Sequence, residues 1–306
     1  MKKIKFKKKP LTERLAKKDY IFVVIFWGFA LIWCALFLLL MFWAVTNSFR
    51  TNTEFILDPG GLPTELSFKN YEIAIKKIRV IVSVKGGGSR YAYFPEMAWN
   101  SILYAVVTPF FAVMTTAMAA YVTAKFDEIG WVRIILPTML VIFQIPLGQS
   151  LAASIKFLQT LGMFDSMIGM WIWSSGAFGG IYLLYHASFK GVSMTYAEAA
   201  AIDGASEFRI FFQIMLPMTK GIFLAFYLSK SITIWNDYMG AMIYLPSYPT
   251  LSYAAWQVQY SVDTDFAMVP RQLAGLTIVL LPVIAIFIVF RDKLMHNDIS
   301  VGGIKG

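Results

Sequence analysis

The residues best able to do covalent chemistry are few and poorly placed for it. The two histidines, His186 and His296, stand far apart, and neither sits in a metal-ligand spacing such as H-E-x-x-H. No G-x-x-x-x-G-K-[ST] loop is present to cradle a nucleotide phosphate, because Gly86-Gly87-Gly88 runs on into Ser89-Arg90. No Gly-x-Ser-x-Gly turn offers a serine nucleophile. The lone cysteine, Cys34, lies in an apolar run and forms no internal disulfide. Neither catalytic residues nor metal ligands are expected. The polar groups that stand out lie inside apolar stretches instead. Lys230 and Asp237 share one helix face with Asn236 beside them, and Gln144 and Gln149 stand in an earlier stretch. Ionisable groups in such surroundings are costly and face a cavity or a partner, so they suit reversible binding rather than bond-making.

The elements that position these groups follow from composition. Of 306 residues, 58% are apolar and 15% charged, against about 45–50% and roughly 25% in soluble domains. Mean hydropathy is +0.62, and lipid is the solvent these values fit. The net charge of +9 then reflects loops facing anionic lipid rather than a nucleic-acid surface. A membrane helix needs about 20 mostly apolar residues. Six stretches qualify: Tyr20–Asn47, Trp99–Ala124, Trp131–Ala153, Met167–Phe189, Gly221–Leu245 and Leu273–Phe290. Pro137, Pro146 and Pro282 inside them mark kinks rather than ends.

The expected fold is therefore all-α, a polytopic membrane protein with six transmembrane helices over residues 20–291. A basic arm at 1–19 precedes it and a tail at 292–306 follows. The apolar run after the basic start is too long for a signal peptide and lacks a small-residue cleavage site, so it is retained as the first span. Lysine and arginine number 17 on the side of the N-terminus and nine on the other. This bias places both termini in the cytoplasm. The Lys2–Lys18 arm is read as a topology determinant ahead of a lipid-binding segment. Residues 48–98 form a long external loop, in which Val80–Phe94 reads either as a small hairpin around the triglycine or as a flexible insertion, the latter favoured.

Between the fourth and fifth spans, a loop at 190–217 carries Tyr196-Ala-Glu-Ala-Ala-Ala-Ile-Asp-Gly-Ala-Ser-Glu-Phe-Arg-Ile-Phe-Phe-Gln-Ile-Met-Leu-Pro217. Thr195 and Glu198 have the spacing of a capping box that starts a short helix. Gly204 suits the left-handed residue that ends it. Ser206 caps a second helix with Glu207 in its first turn. Phe208, Phe211, Phe212 and Met215 form a helical stripe, and Pro217 ends the helix. The product is a helical elbow whose alanines, Ala197 and Ala199 to Ala201, allow a partner to approach closely.

This segment resembles the EAA loop of binding-protein-dependent ABC importers. Glu198-Ala199-Ala200, then Gly204, then Ile214-x-Leu216-Pro217 match the family pattern at every defined position and spacing. Ala201-Ile202-Asp203-Gly204-Ala205-Ser206, Trp235-Asn236-Asp237-Tyr238, Phe164-Asp165-Ser166 and the terminal Gly302-Gly303-Ile304-Lys305-Gly306 are similar to the MalG-like permeases of the carbohydrate-uptake branch, over nearly the whole chain. Two features depart from the family: Val192-Ser193 stands where Ile-Pro is common, and the first external loop is longer.

The resemblance implies a permease subunit in the cytoplasmic membrane of a prokaryote. It implies a second homologous permease, two ATPase subunits that hold ATP and Mg, and an extracytoplasmic binding protein that delivers a sugar, oligosaccharide or polyol. No cofactor is expected in this chain and no nucleic-acid partner. Glu198, Ala199, Ala200, Asp203, Gly204, Ile214, Leu216 and Pro217 are implied to couple it to the ATPase. Glu198 is at the same time the acid of the capping box.

Asn236 and Asp237 are candidates to line the pathway, against a reading in which Asp237 reaches the interface or pairs with another subunit. Trp235 and Tyr238 offer faces for a sugar ring, although an interfacial aromatic belt is the favoured reading. Gln144 and Gln149 are pathway candidates or interhelical bonds. Two rivals remain, an ABC permease for a non-sugar substrate and an ion-coupled secondary transporter, the latter expected to show inverted repeats that the chain lacks. A scaffold role ranks below both.

Overall fold

The computed structural model describes residues 17–83, 87–144, 150–176, 180–259 and 266–296. Most of the basic arm, the tail beyond 296, Pro146, Gln149 and the side chain of Gln144 lie outside the described residues. The chain is a helical bundle with one small hairpin at one end.

Helix α1 (Lys17–Ser48) is apolar all round and makes few contacts except along α15 (Val269–His296). Most of its side chains from Tyr20 to Phe42 are exposed in the single chain, which is the condition of a helix that faces lipid or another subunit. It ends where polar groups begin. The Asn47 amide donates to the Trp43 carbonyl at 2.8 Å, and the buried Arg50 turns back toward the helix end.

The guanidinium of Arg50 donates to the Asn47 side chain and to the carbonyls of Glu54, Asp58 and Gly61. It thereby gathers the short helix α2 (Asn52–Leu57) and the following turn around one cation. Thr51 and Glu54 close a reciprocal capping box on α2, and Glu54 also accepts from the backbone and hydroxyl of Thr64. After α3 (Lys69–Lys77), β1 (Arg79–Ser83) pairs antiparallel with β2 (Ser89–Tyr93), Val80 opposite Ala92. Arg79–Ser83 and Ser89–Tyr93 thus pair as a hairpin rather than lying in a flexible insertion. Val80, Val82 and Ala92 alternate inward and are fully buried. Gly87 and Gly88 have φ of 96° and 101°, the left-handed conformation that the turn requires.

Helix α4 (Phe94–Lys125) is the bundle's axis, about 48 Å long. It packs against α7 (Met167–Ser174), α8 (Gly180–Gly191) and α12 (Lys220–Trp235) through Ala105, Ala117, Ala120, Ala124, Thr108, Thr116 and Thr123, all buried. Small residues let neighbouring backbones approach closely, which is how helices associate when lipid supplies no hydrophobic drive. Two apolar cores sit at opposite ends of α4. Met97, Tyr104 and Ala105 join the hairpin end, and Val113 to Ala124 join the elbow end.

Among the described residues, three helices are long and apolar enough to cross a membrane: Tyr20–Ser48, Phe94–Lys125 and Val269–Phe290. These fall on the first, second and sixth expected spans. The fourth and fifth expected stretches are interrupted within the described residues, where α7 stops at Ser174 ahead of α8, while the third is described as α5 (Gly130–Gln144) and α6 (Leu151–Thr160). The hydroxyls of Ser174 and Ser175 both bond back to the Trp171 carbonyl where α7 ends, competing with the continuing helix. The fifth divides into α12 and α13 (Tyr238–Tyr244), because the Asp237 carboxylate accepts from the Gly240 N–H at 2.8 Å and starts a new helix. Helix α14 (Leu251–Gln259) then packs on α13 and α15.

Candidate functional site

The elbow grows from the end of α8. Helix α9 (Thr195–Ile202) leads through a turn to α10 (Glu207–Ile210), a π turn (Phe211–Met215) and α11 (Leu216–Met218). The capping box expected from Thr195 and Glu198 does not form. Met194 is the cap residue, Thr195 already lies in the first turn, and the Ser193 hydroxyl meets the Thr195 hydroxyl at 2.9 Å. Ser193 supplies that local bond. The consequence is that the Glu198 carboxylate is exposed and has no bonded partner among the described residues.

Gly204 ends α9 as expected. Its φ is +83°, its N–H donates to the Ala201 carbonyl, and the Ala205 N–H donates to the Ala200 carbonyl at 2.9 Å. This pair of bonds is the Schellman arrangement. A β-carbon at Gly204 would meet nothing within 4 Å, so its conformation rather than crowding demands glycine. Ser206 caps α10 by accepting from the Arg209 N–H.

The elbow has two faces. Ala197, Ile210, Phe211 and Met215 are buried against Tyr121, Tyr185 and Phe189, with Ala200, Ile214 and Leu216 partly buried beside them. Tyr196, Glu198, Ala199, Ile202, Asp203, Gly204, Phe208 and Pro217 face outward, Ile202 being 86% exposed. The expected alanine surface is thus halved, since Ala197 faces the core. The aromatic stripe also splits, with Phe211 and Met215 inside and Phe208 and Phe212 outside. The π turn accounts for the split. The Leu216 N–H reaches back five residues to the Phe211 carbonyl, which shifts the angular spacing away from the α-helical one. Pro217 does not end the helix where it stands. The chain bends by 81° one residue beyond α11, at Thr219, whose hydroxyl bonds to the Met215 and Leu216 carbonyls.

Sequence reading missed the clamp that holds the elbow to α4. Lys125 at the end of α4 donates to both carboxylate oxygens of Glu207, at 2.7 and 2.9 Å, and the Tyr121 hydroxyl donates to the same group at 3.2 Å. Its one visible signal was a first-turn acid at Glu207. A second pair, Lys190–Asp127 at 3.0 Å, joins the end of α8 to the turn after α4. The hydrogen bond from Lys190 holds the Asp127 carboxyl below its ordinary range.

Of the candidate pathway residues, Trp235, Asn236 and Asp237 lie together with Tyr238 at the α12–α13 junction, at the hairpin end. Trp235 is buried in the core there and donates its indole N–H to the Val279 carbonyl, so it joins α12 to α15. Asn236 is exposed and donates to the Ile232 carbonyl of its own helix. Asp237 caps α13, and Tyr238 stacks on Trp256 at 5.4 Å. Gln149 is outside the described residues, and Gln144 ends α5. The same end is tied by Asp165 (φ 55°), whose carboxylate accepts from the backbone and hydroxyl of Ser247 at 2.8 and 2.6 Å, while that hydroxyl also reaches the Ser83 carbonyl of β1.

An apolar multi-helix bundle with a clamped, outward-facing elbow at one end is the form of a transport permease, and the comparisons with known proteins fall in that class. No family model matches the chain. It is 25% identical over 290 residues to the "Diacetylchitobiose uptake system permease protein NgcG" of Streptomyces coelicolor, spanning 93% of this chain and 90% of that protein. It is 26% identical to the "Probable starch degradation products transport system permease protein AmyC" of Thermoanaerobacterium thermosulfurigenes, covering 90% and 93%. It is 27% identical to the "Arabinooligosaccharides transport system permease protein AraQ" of Bacillus subtilis, covering 80% and 81%. Its fold matches a chain from the "Crystal structure of a bacterial ABC transporter involved in the import of the acidic polysaccharide alginate" with a TM-score of 0.74, 20% identity and coverage of 93% and 99%. The resemblance read from the elbow motif thus extends along the chain. Its relatives are sugar-importer permeases, transport subunits rather than enzymes.

Proposed function

We propose that this chain is one permease subunit of an ATP-driven importer for a sugar, oligosaccharide or related polyol, in which the 190–217 elbow receives force from an ATPase subunit. The observation that carries the reading is the two-faced elbow. One face is locked to α4 and α8 by Phe211, Met215 and the Lys125–Glu207 clamp, and the other offers Glu198, Ile202 and Phe208 to a partner. A push on the outer face moves the bundle as a unit because the inner face is packed and bridged. Exposed apolar residues rimmed by Glu198 and Asp203 have the form of a protein-docking surface.

In this reading Trp131–Ala153, Met167–Phe189 and Gly221–Leu245 are spans three to five of six, and both termini and the elbow lie in the cytoplasm. ATP and Mg sit on two partner ATPase subunits, and a second permease completes the pathway. An extracytoplasmic binding protein meets the hairpin end, and Asn236 and Asp237 border the pathway there. The names of the relatives, which concern chitobiose, starch products and arabino-oligosaccharides, support carbohydrate as the cargo class.

The test is purification of the tagged chain from its own membranes in a gentle detergent. Co-purification of a P-loop ATPase and a second permease, with ATPase activity impaired in Glu198→Arg, is the expected result. Recovery of the chain alone, with transport after reconstitution in the absence of ATP, would replace the importer with a secondary transporter.

A further inference from the structure

Helix α4 is bonded at each end to segments distant in sequence, and the bonds at the two ends differ in kind. At the elbow end they are ionic. Lys125 in the last turn holds Glu207 of α10, and Asp127 just beyond it holds Lys190 at the end of α8. Lys190 and Glu207 bracket α9, so the helix that carries Glu198 is tied before and after to one place, the end of α4. The chain itself offers softer links. Between α8 and α9 it leaves the helix at Val192 and Ser193, and beyond α11 it bends by 81° at Thr219. A displacement of α9 therefore passes to α4 more directly than along the backbone.

At the hairpin end the bonds are neutral and buried. The Ser101 hydroxyl accepts from the Leu251 N–H at 2.7 Å, and the Asn100 amide donates to the Pro249 carbonyl at 3.1 Å. Leu251 opens α14, and the first N–H groups of a helix have no partner within it. Thr250 serves one of them locally by accepting from the Tyr253 N–H, and Ser101 serves another from 150 positions away. One residue further on, the Ser252 hydroxyl donates to the Trp235 carbonyl, beside Asn236 and Asp237.

Between these ends α4 is one helix in spite of Pro109. The proline removes a backbone donor from its middle. There the Tyr227 hydroxyl of α12 donates to the Val106 carbonyl at 3.1 Å and braces the weakened turn.

We infer that α4 is the transmission rod of the transporter, and that Asn100 and Ser101 are positioning residues through which displacement of the elbow reaches the α13–α14 turn. From that turn Ser252 passes it to the α12–α13 junction. The inference rests on the importer reading above and gives the force on the elbow a destination. Ser101 and Lys125 stand about 36 Å apart along α4. Coupling over such a distance needs a contiguous packed element, and α4 is one.

The test uses the complete transporter in lipid nanodiscs, with Cys34→Ser in this chain and a reporter cysteine, Tyr248→Cys, in the α13–α14 turn. Its rate of labelling by a charged maleimide is read by mass spectrometry, without nucleotide and after trapping with ATP and vanadate. Trapping is expected to shift the rate, and the shift is expected to shrink in Glu207→Gln and in Ser101→Ala and to persist in Lys125→Arg. Sites this far apart ordinarily act additively. On one rod they act in series, so the double variant is expected to lose no more of the shift than the more impaired single variant. A second measurement needs neither variant: spin labels at Gln213→Cys on the elbow and at Tyr248→Cys are expected to keep their separation on trapping. An unshifted rate at Tyr248, a full shift in both variants, additive losses, or a changed separation of the labels each overturns the inference and leaves the importer reading standing. Failure of any ATPase subunit to co-purify with the chain defeats the importer reading and this inference with it.

Discussion

At the residue scale, Gly204 and Glu54 show how one side chain, or the lack of one, acts through the backbone. Gly204 holds φ at +83° in open space, so Gly204→Ala introduces local strain of about 1–2 kcal/mol without a clash. In the assembled transporter this substitution is expected to lower ATP-driven uptake while leaving membrane insertion unchanged. Gly28→Ala, in open space on α1 and free of a positive φ, is expected to alter neither, with vesicle uptake and membrane fractionation as the readouts. Glu54 lies in the capping box that starts α2 and accepts twice from Thr64. The Thr64 hydroxyl bond, with its backbone bond next, lowers the carboxyl below its usual 4.5. A carboxyl lowered on folding binds protons more readily in the unfolded state, so its contribution is present above the usual value and is lost as pH falls through the folded one. Protection of residues 51–64 against hydrogen exchange, referenced to the intrinsic rate at each pH, is expected to fall on acidification in wild type and to show a flatter pH dependence in Glu54→Gln. An unchanged profile in that variant would remove Glu54 as the acid-sensitive group.

At the element scale, the elbow separates anchoring from docking, and two phenylalanines test the division. Phe211 is buried among Tyr121, Phe189 and Phe212, whereas Phe208 is 66% exposed. Phe211→Ala is expected to cost about 3–5 kcal/mol through the cavity it leaves, and to lower the melting temperature of the purified chain. Phe208→Ala is expected to leave melting within about 0.5 kcal/mol but to weaken ATPase association in a pull-down. The opposite pattern would reverse the two faces. The π turn decides which aromatic is which, because five-residue backbone bonds rotate Phe212 away from the side that a regular helix would give it. The Thr195–Glu198 spacing shows the same limit. It matches a capping box, yet Met194 occupies the cap because the chain leaves α8 with Met194 already in helical conformation.

At the scale of the whole molecule, the hairpin end and the elbow end occupy opposite ends of α4, about 48 Å apart. Such a separation exceeds the hydrocarbon core of a bilayer, about 30 Å thick, so the proposed topology puts the two ends on opposite sides of it. In a Cys34→Ser background, a cysteine at Ser89 in the hairpin is expected to react with an impermeant thiol reagent in intact cells, and one at Ala199 only after permeabilisation. Labelling of both from outside would refute the topology. An exposed α1, apolar on every side, has the same logic. Its surface is complete only with lipid or a second subunit against it.

The chain by itself determined what depends on local pattern and composition. The long apolar runs of α1, α4 and α15 define spans, because lipid forces every backbone group to bond within its own helix. The Val80, Val82 and Ala92 alternation and the Gly87-Gly88 turn carry a hairpin that was legible but ranked second, since two short strands gain stability only from what they pack on. The elbow's motif and its Gly204 end were readable because they are fixed by neighbours a few residues away. Tertiary structure alone decided the rest. Glu207 meets Lys125 across 82 positions and Ser247 meets Asp165 across another 82, and no local spacing encodes such pairs. Trp235 read first as an interfacial aromatic and second as a face for cargo, and it instead joins α12 to α15. Periodicity tells which side of a helix is apolar, but the neighbour it meets is chosen by the packing of the whole bundle.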